Sequence, residues 1–233
     1  MIKKILRFLA ISIFFYSCQT GNIDPDLISL GESFYPIETG RYITYQVKSI
    51  RFDELKESDT LEYQMKEIIK TPFSDLSGDT IFRIEQFTRI DSSAQWKIDS
   101  VWTLKTDPAK IIKTENNIPY IKIVFPIENN TTWDGNNFNS LAENIYQIQN
   151  LNTSFSLNSF SFDNTVKVIH NEDSSLVSKD VRWEIYADSV GMIYKHHEVL
   201  QYISDFNDPN YGLDSIIRGV FISKKVIDFG KED

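Results

Sequence analysis

An alternation of apolar and polar residues runs through most of the chain and constrains its fold more than any other feature. Side chains of a β-strand point in turn to two faces, so this period indicates strands with one buried face. The predicted buried faces are Ile43, Tyr45 and Val47; Leu61, Tyr63 and Met65; Phe82 and Ile84; Trp96, Ile98, Trp102 and Leu104; Ile121, Ile123 and Phe125; Val181, Trp183 and Ile185; and Val220 and Ile222.

Clusters of turn-forming residues at 75–79, 133–136 and 207–212 separate these runs, and such short connections favour antiparallel neighbours. Residues 140–147 begin with a capping-box pattern, Ser140 to Glu143, but their apolar spacing fits a strand nearly as well. The chain is therefore predicted to be all-β, with a curved antiparallel sheet that forms an open or closed barrel, either lipocalin-like or a half-barrel. A two-sheet β-sandwich is the alternative.

The first residues have the layout of a secretory signal. Lys3, Lys4 and Arg7 accompany an apolar run that ends at Tyr16, and this run is too short to span a bilayer, which takes roughly 20 helical residues. The sequence Phe15-Tyr16-Ser17-Cys18 resembles a bacterial lipobox, which implies cleavage before Cys18 and acylation of its thiol. Cys18 is the only cysteine and cannot form an internal disulfide. The alternative is an ordinary signal peptide with an incidental cysteine.

These features predict a signal peptide at 1–17, the lipidated Cys18 and a spacer at 18–33, and a single β-domain at 34–233. The formal net charge of the whole chain is −9, and it becomes more negative when the basic signal peptide is removed. Such a surface repels phosphates, which argues against a nucleic-acid partner and against a basic membrane-binding patch. The membrane contact is therefore assigned to the acyl anchor, in the outer membrane of the cell envelope, with the periplasmic and the surface-exposed face both open.

The usual catalytic motifs do not occur in the sequence. His197-Glu198 begins a zinc-helix pattern, but the position four residues after His197 is Gln201. His196 and His197 are neighbours in a strand-like run and point to opposite faces; like His170, they are predicted at surface or edge positions. We predict no catalytic residue and no cofactor, and a hydrolase with two carboxylates is the enzymatic alternative.

Aromatic residues are the candidate ligand-binding groups. Trp96, Trp102, Trp183 and Tyr194 would line a pocket at the barrel mouth or stack on sugar rings. As residues that alternate inward along strands, the same four would simply belong to the core.

The loop at 204–214 is a candidate calcium site. Its oxygen ligands are Asp205, Asn207, Asp208 and Asn210, with Asp214 at its end. Its spacing departs from the EF-hand pattern, because Pro209 occupies the fifth position. Asx-turns account for the same residues without a metal.

Four stretches resemble a group of secreted lipoproteins of Bacteroidota: FYPIETGRYITYQVKSI at 34–50, LSGDTIFRIEQF at 76–87, VFPIENNTTWDGN at 124–136 and EIYADSVGMIYK at 184–195. The shared outline is an aromatic-Pro-x-x-x-Gly-x-aromatic strand, a central Phe-Pro followed by Trp-Asp-Gly, and a late Val-Gly-aliphatic strand. The resemblance covers most of the chain after Cys18 and implies a place in the envelope but no activity.

Asp-Ser/Thr-aliphatic triplets are similar to the O-glycosylation sequon of exported proteins of that phylum. They mark Thr60, Thr80, Ser189 and Ser215 as candidates, and Ser100 is a weaker one because it lies within a predicted strand face. An Asp in a turn before a β-branched strand residue produces the same triplet without modification.

An acyl anchor and a β-domain without a catalytic motif favour a non-enzymatic binding module. Its expected partners are the membrane, through the acyl anchor, and a small apolar or glycan ligand or an envelope protein. A structural or accessory subunit of an outer-membrane complex is the alternative.

Overall fold

A computed structural model describes residues 30–54 and 56–232, so the predicted signal peptide and Cys18 lie outside the described residues. Within these ranges the chain forms thirteen β-strands, a 3₁₀ turn at Glu32–Phe34 and no α-helix. The strands are β1 (Arg41–Asp53), β2 (Lys56–Ile69), β3 (Phe73–Ser74), β4 (Thr80–Arg89), β5 (Lys97–Asp107), β6 (Lys110–Glu115), β7 (Ile118–Val124), β8 (Thr132–Asp134), β9 (Ile145–Leu157), β10 (Phe160–Ser174), β11 (Ser178–Ala187), β12 (Gly191–Tyr202) and β13 (Ile216–Lys231).

The strands form an antiparallel sheet that is nearly closed into a barrel, which confirms the predicted all-β barrel. The strand order is β7-β6-β5-β4-β2-β1-β13-β12-β11-β10-β9-β8, and the short β3 pairs with β4 beside this path. Two meanders, β1 to β7 and β8 to β13, therefore share one long seam. At this seam β1 pairs with β13 from Arg41–Lys231 to Asp53–Arg218.

The end strands β7 and β8 meet at Ile121. Its N–H donates a hydrogen bond of 3.0 Å to the carbonyl of Gly135, and its carbonyl accepts one of 3.0 Å from the indole Nε1 of Trp133. A Cβ on Gly135 would lie 2.5 Å from the ring of Tyr146, so glycine is needed for this approach. The predicted turn at 133–136 is thus partly strand, because Trp133 and Asp134 complete β8.

Buried apolar side chains from both meanders fill the barrel. One cluster includes Leu104, Ile123, Ile148, Val166 and Tyr186, and a second includes Tyr45, Val47, Met65 and Val226. Tyr45 and Val47 are fully buried, as the alternation of β1 predicts.

The predicted face of Trp96, Ile98, Trp102 and Leu104 is only partly correct. Leu104 is fully buried, whereas Ile98 is 61% exposed. The register between β4 and β5 shifts at Gln86/Phe87, where Ser100 pairs with Gln86 but Ile98 pairs with Phe87. The extra residue places Ile98 on the opposite face from Leu104.

The segment before β1 packs against one end of the barrel. The carbonyl of Leu30 accepts a hydrogen bond of 3.0 Å from the N–H of Ile127, and the carbonyl of Ser33 accepts one of 2.8 Å from Ser189. Phe34 is buried in the core. Residues 30–33, which we assigned to the spacer, therefore contact the barrel.

Candidate functional site

A cavity of about 70 Å³ lies among nine strands and the segment that precedes β1. Its apolar lining includes Ile43, Ile69, Ile84, Leu104 and Met192, and its tyrosines are Tyr35, Tyr42, Tyr45 and Tyr186. Its lysines and glutamates are Glu67, Lys113, Glu115, Lys122, Glu184, Lys195 and Lys224. The site is thus an ionic cluster inside a barrel whose core clusters are otherwise mainly apolar.

Strand alternation accounts for several of these inward charges. Glu67 lies between Met65 and Ile69 at alternate positions of β2, and Lys224 lies between Ile222 and Val226 on β13. A period of two therefore assigns each of them to the face of its apolar neighbours. The sequence therefore contained a signal for the inward position of Glu67 and Lys224. The predicted buried faces did not include these two residues, because only apolar positions were used to define the faces.

Two other groups of the interior lie at β-bulges. On β7, Ile123 pairs with Ile111 and Ile121 with Ile112, which leaves Lys122 as the extra residue. On β10, Ile169 pairs with Trp183 and Asn171 with Arg182, which leaves His170 as the extra residue. A bulge redirects the side chain that it inserts. Lys122 is buried for this reason, although strict alternation of Ile121 and Ile123 would place it on the outer face. His170 is buried as well, and it continues the period of Val166 and Val168, which are fully buried.

Glu184 is the centre of one half of the cluster, and its side chain is 1% exposed. Its Oε1 accepts hydrogen bonds from Lys122 Nζ at 2.9 Å and from Lys195 Nζ at 3.0 Å. Its Oε2 accepts one of 2.6 Å from the hydroxyl of Tyr186. The Nε2 of His170 lies 3.5 Å from the same oxygen without forming a hydrogen bond.

Glu67 is the centre of the other half. Its Oε2 accepts a hydrogen bond of 2.7 Å from Lys113 Nζ, which is also 3.5 Å from Oε1 of Glu115. Its Oε1 is buried without a hydrogen-bond partner among the described residues, and Lys224 Nζ is 3.7 Å away. Lys113 Nζ also lies 4.6 Å from the ring centre of Trp102.

The lysines keep the glutamates ionised. Burial, the largest effect, would raise the pKa of each carboxyl group, but the nearby positive charges outweigh it. Lys122 and Lys113 lower the pKa of Glu115 to about 2. Lys122 and Lys195 hold the pKa of Glu184 well below its usual range, and Lys113 and Lys224 lower that of Glu67.

The tyrosines and His170 are neutral at physiological pH. Burial raises the pKa of Tyr35 to about 12 and raises those of Tyr45 and Tyr186 well above the usual range. Burial also lowers the pKa of His170 to about 4, against the opposing charge of Glu184. The charge of the cavity is therefore set by its lysines and glutamates.

The four predicted aromatic residues do not converge on one pocket. Trp183 stacks on Tyr194, with ring centres 5.0 Å apart, and both are partly exposed. Trp96 packs against Arg89, whose guanidinium lies 4.1 Å from the ring centre. Trp102 packs against the first core cluster beside Lys113. The structure thus brings two of the four together, and none of the four lines the cavity.

The predicted modification sites lie at strand ends and in turns. Thr60 on β2, Thr80 at the start of β4 and Ser189 in the β11–β12 turn are exposed, and Ser215 is half-buried. Ser100 donates a hydrogen bond of 2.6 Å to Gln86 Oε1. Three of the four principal candidates are therefore accessible.

The candidate calcium loop forms two Asx-turns. Asp205 Oδ1 accepts hydrogen bonds from the backbone N–H of Asn207 at 2.9 Å and from its side-chain amide at 3.0 Å. Asp208 Oδ1 binds Asn210 in the same way, at 2.8 and 3.1 Å. Across residues 30–54 and 56–232, no three His, Cys, Asp or Glu side chains form a group that could hold a metal ion.

The histidines differ from the prediction of surface or edge positions. His170 is buried and stacks on Tyr146 at 4.0 Å. His196 is half-buried and stacks on Trp183 at 5.1 Å. Burial lowers the pKa of His197 to about 4, with Lys195 and Arg182 acting in the same direction. The prediction failed for His170 because this residue shares one face of β10 with the buried Val166 and Val168, and for His196 because Trp183 covers it.

Fold and cavity together define a class: an antiparallel β-barrel that encloses a network of buried charges. In comparisons with known proteins, no family model matches the chain, and no curated protein is significantly similar to it. The described part of the chain has no helix of the length and apolarity needed to cross a membrane.

Proposed function

We propose that this chain is an outer-membrane lipoprotein of the cell envelope whose barrel binds a small ligand without transforming it. The observation that carries the proposal is the cavity, which combines an ionic wall around Glu67 and Glu184 with an apolar wall around Ile84 and Leu104. A few fixed polar groups in an otherwise apolar enclosure are typical of ligand sites.

The charge states of the cavity favour binding over catalysis. General acid–base catalysis needs a group whose pKa lies near the working pH. Here the pKa values of Glu67, Glu115 and Glu184 are all lowered, despite the opposing effect of burial. Such carboxylates stay charged and act as fixed partners for a ligand.

Support for the acyl anchor at Cys18 comes from the sequence. Cys18 follows the apolar run of a signal peptide, and the resemblance to Bacteroidota lipoproteins points to the same location. Acylation of Cys18 would bury many methylene groups in the bilayer, at about 0.8 kcal/mol each. The first described residue, Leu30, lies twelve positions after Cys18, at the end of the barrel against which the segment before β1 packs.

Native mass spectrometry of the full-length protein, extracted gently from its own membranes, tests the binding function. We expect a small non-covalent mass beyond acyl and glycan additions. Leu104→Phe, which narrows the cavity, should reduce the occupancy, whereas Leu61→Phe makes the same change at a position that is 52% exposed and should retain it. A ligand-free wild-type protein, or equal occupancy in the two variants, would contradict the proposal.

Membrane fractionation of Cys18→Ser tests the tether. Without the thiol there is no site for thioether acylation, so we expect the variant to lose the acyl mass and to leave the membrane fraction. A Ser17→Ala variant keeps a small residue before Cys18 and should stay bound. A Cys18→Ser protein that still carries the acyl mass would refute the anchor.

A row of stacked rings supports a second candidate, an accessory subunit that docks another envelope protein. Trp183 stacks on Tyr194 and on His196, and His196 contacts Phe221 at 5.5 Å. Aromatic residues are enriched at protein interfaces. The same mass spectra would then contain a co-isolating protein that Trp183→Ala loses and Trp96→Ala keeps.

A further inference from the structure

Two lysines of the cavity are direct cross-strand neighbours. Lys195 on β12 pairs with Lys224 on β13 in the antiparallel register, and both line the cavity. Side chains at such positions start about 5 Å apart, and like charges there destabilise a sheet. A buried pair of this kind needs negative charge close by.

The glutamates of the cavity meet this need unequally. Lys195 Nζ is 3.0 Å from Oε1 of Glu184, an oxygen that it shares with Lys122. The carboxylate nearest to Lys224 Nζ is that of Glu67, at 3.7 Å, which is too far for a hydrogen bond. The hydrogen bond that Lys224 does make goes to a weak acceptor, Sδ of Met65, at 3.2 Å.

The number of charged groups in the cavity also indicates a need for negative charge. Among the described residues that line the cavity, four lysines face three glutamates. Arg41 also lines it, but its guanidinium lies 3.5 Å from Glu38 and donates to the carbonyl of Ser189. With all four lysines protonated, the ionic wall has one positive charge in excess, and an unmatched buried charge is costly. This cost is reflected at Lys224, where burial lowers the pKa of the side chain against the opposing charge of Glu67.

Glu67 adds a second requirement. Its Oε1 is buried and has no hydrogen-bond partner within the described residues. A buried acceptor without a donor costs about 1–3 kcal/mol. A ligand that fits this wall therefore brings a hydrogen-bond donor as well as a negative charge.

Size and lining limit the rest of the ligand. A volume of about 70 Å³ is far below the roughly 300 Å³ at which pockets for drug-sized ligands begin. Ile69, Ile84 and Leu104 offer apolar contact for a short carbon skeleton.

We propose that the cavity binds a small hydroxycarboxylate monoanion, with its carboxylate near Lys224 and Lys195 and its hydroxyl donating to Oε1 of Glu67. This assignment deepens the proposed binding function and rests on it. A single negative charge neutralises the excess of one lysine, whereas a dianion would replace it with an excess of the opposite sign. The hydroxyl distinguishes the ligand from a simple fatty acid.

Titration of the full-length protein in detergent with three related three-carbon probes tests the ligand class. Lactate carries the charge and the donor, lactamide has the donor but no charge, and propionate has the charge but no hydroxyl. We expect calorimetric binding and a rise in Tm with lactate, weaker binding of propionate and none of lactamide. Equal responses to lactate and lactamide, or no response to lactate at millimolar concentration, would overturn the assignment.

Lys224→Met tests the site itself, because it removes the excess charge and keeps an unbranched side chain. We expect lactate affinity to fall about tenfold or more, while the ligand-free variant is at least as stable as the wild type because no unmatched charge is left. Lys225→Met changes the next residue on β13, which pairs with Gln46 and Tyr194 and does not line the cavity, and it should bind lactate normally.

Unchanged lactate affinity in Lys224→Met would overturn the anion site. Should Lys224→Met fail to fold, Lys224→Gln, which retains a hydrogen-bond donor, provides the same comparison. A neutral or cationic ligand in the native mass spectrum would overturn the hydroxycarboxylate and leave the binding function intact. A protein that neither retains a ligand nor binds any probe would overturn both.

Discussion

At the scale of single residues, Glu184 is a central partner in the barrel because one of its oxygens accepts hydrogen bonds from two lysines. Glu184→Gln keeps the shape and an acceptor for Tyr186, but it leaves Lys122 and Lys195 without their counter-charge. Loss of one partner of a buried ion pair costs about 3–5 kcal/mol, so we expect a decrease of this order in the free energy of unfolding, measured in urea.

Glu172→Gln is the matched control. Its carboxylate binds Lys167 at 2.7 Å, but the side chain is 46% exposed, and exposed pairs contribute about 0–1 kcal/mol. A similar loss in both variants would show that burial does not decide the strength of these pairs.

His170 makes stability depend on pH below neutrality. Burial lowers its pKa from 6.5 to about 4, so between these values the unfolded chain binds a proton that the folded barrel does not. The contribution of His170 to the free energy of unfolding is fully present above pH 6.5. It decreases as the pH falls towards 4, by at most about 1.4 kcal/mol per pH unit. His170→Phe should flatten this slope in urea titrations.

His197 contributes in the same direction, because its pKa is also lowered to about 4. The dependence of the free energy of unfolding on pH should therefore be weakest in a variant that lacks both His170 and His197. A second loss sets in below pH 4.5, where the unfolded glutamates take up protons and Glu115, with its pKa of about 2 in the barrel, does not. A wild-type protein whose stability is level from pH 7 to 5 would contradict the role of His170.

At the scale of elements, a glycine controls the seam where β1 begins. The N–H of Gly40 donates to Ile69, and its carbonyl accepts from Glu232, so it joins β2 and the end of β13. Its φ is +87°, and a Cβ would lie 2.2 Å from the carbonyl oxygen of Glu232. We expect Gly40→Ala to lower the Tm strongly, because backbone strain and a backbone clash act together.

Gly78→Ala separates the two effects. Gly78 has nearly the same φ, +85°, but no atom lies within 4 Å of the position of its Cβ. It should lose only the left-handed preference, about 1–2 kcal/mol. Equal decreases in Tm for Gly40→Ala and Gly78→Ala would mean that the strands around Gly40 can separate without a further cost in stability.

The elements also show why the sequence predicts the fold better than the site. Alternation identified β1 and β2 and the buried faces of Tyr45 and Val47, because a period of two needs no tertiary information. It also contained Glu67 and Lys224 at inward positions, flanked by apolar neighbours. It could not place Lys122, because the bulge that turns this side chain inward is fixed by the pairing of β6 with β7.

Nor could alternation reveal which charges meet. Glu184 and Lys122 lie 62 positions apart in the chain, and their contact depends on closure of the whole barrel. Alternation also placed Trp96 and Trp102 on one face, whereas they occupy different environments because β4 and β5 shift their register.

At the scale of the whole molecule, we expect the barrel to require β13. Removal of residues 216–233 would take away the partner of both β1 and β12 together with Lys224. Circular dichroism should then show loss of the native β spectrum. Replacement of 205–213 by a short Gly-Ser linker shortens an exposed loop and should change stability by less than about 1 kcal/mol. A folded barrel without β13 would contradict this.

The seam between β1 and β13 also sets an order of events during synthesis. Among the described strands β1 is synthesised first and its partner β13 last, so one edge of β1 stays open until residues 216–231 have emerged. Contacts so distant in sequence form slowly, and an open edge accepts any strand of matching register. In a crowded compartment, the β13 of a neighbouring copy meets that requirement as well as its own, and exchange of this strand would yield a swapped dimer with two complete cavities.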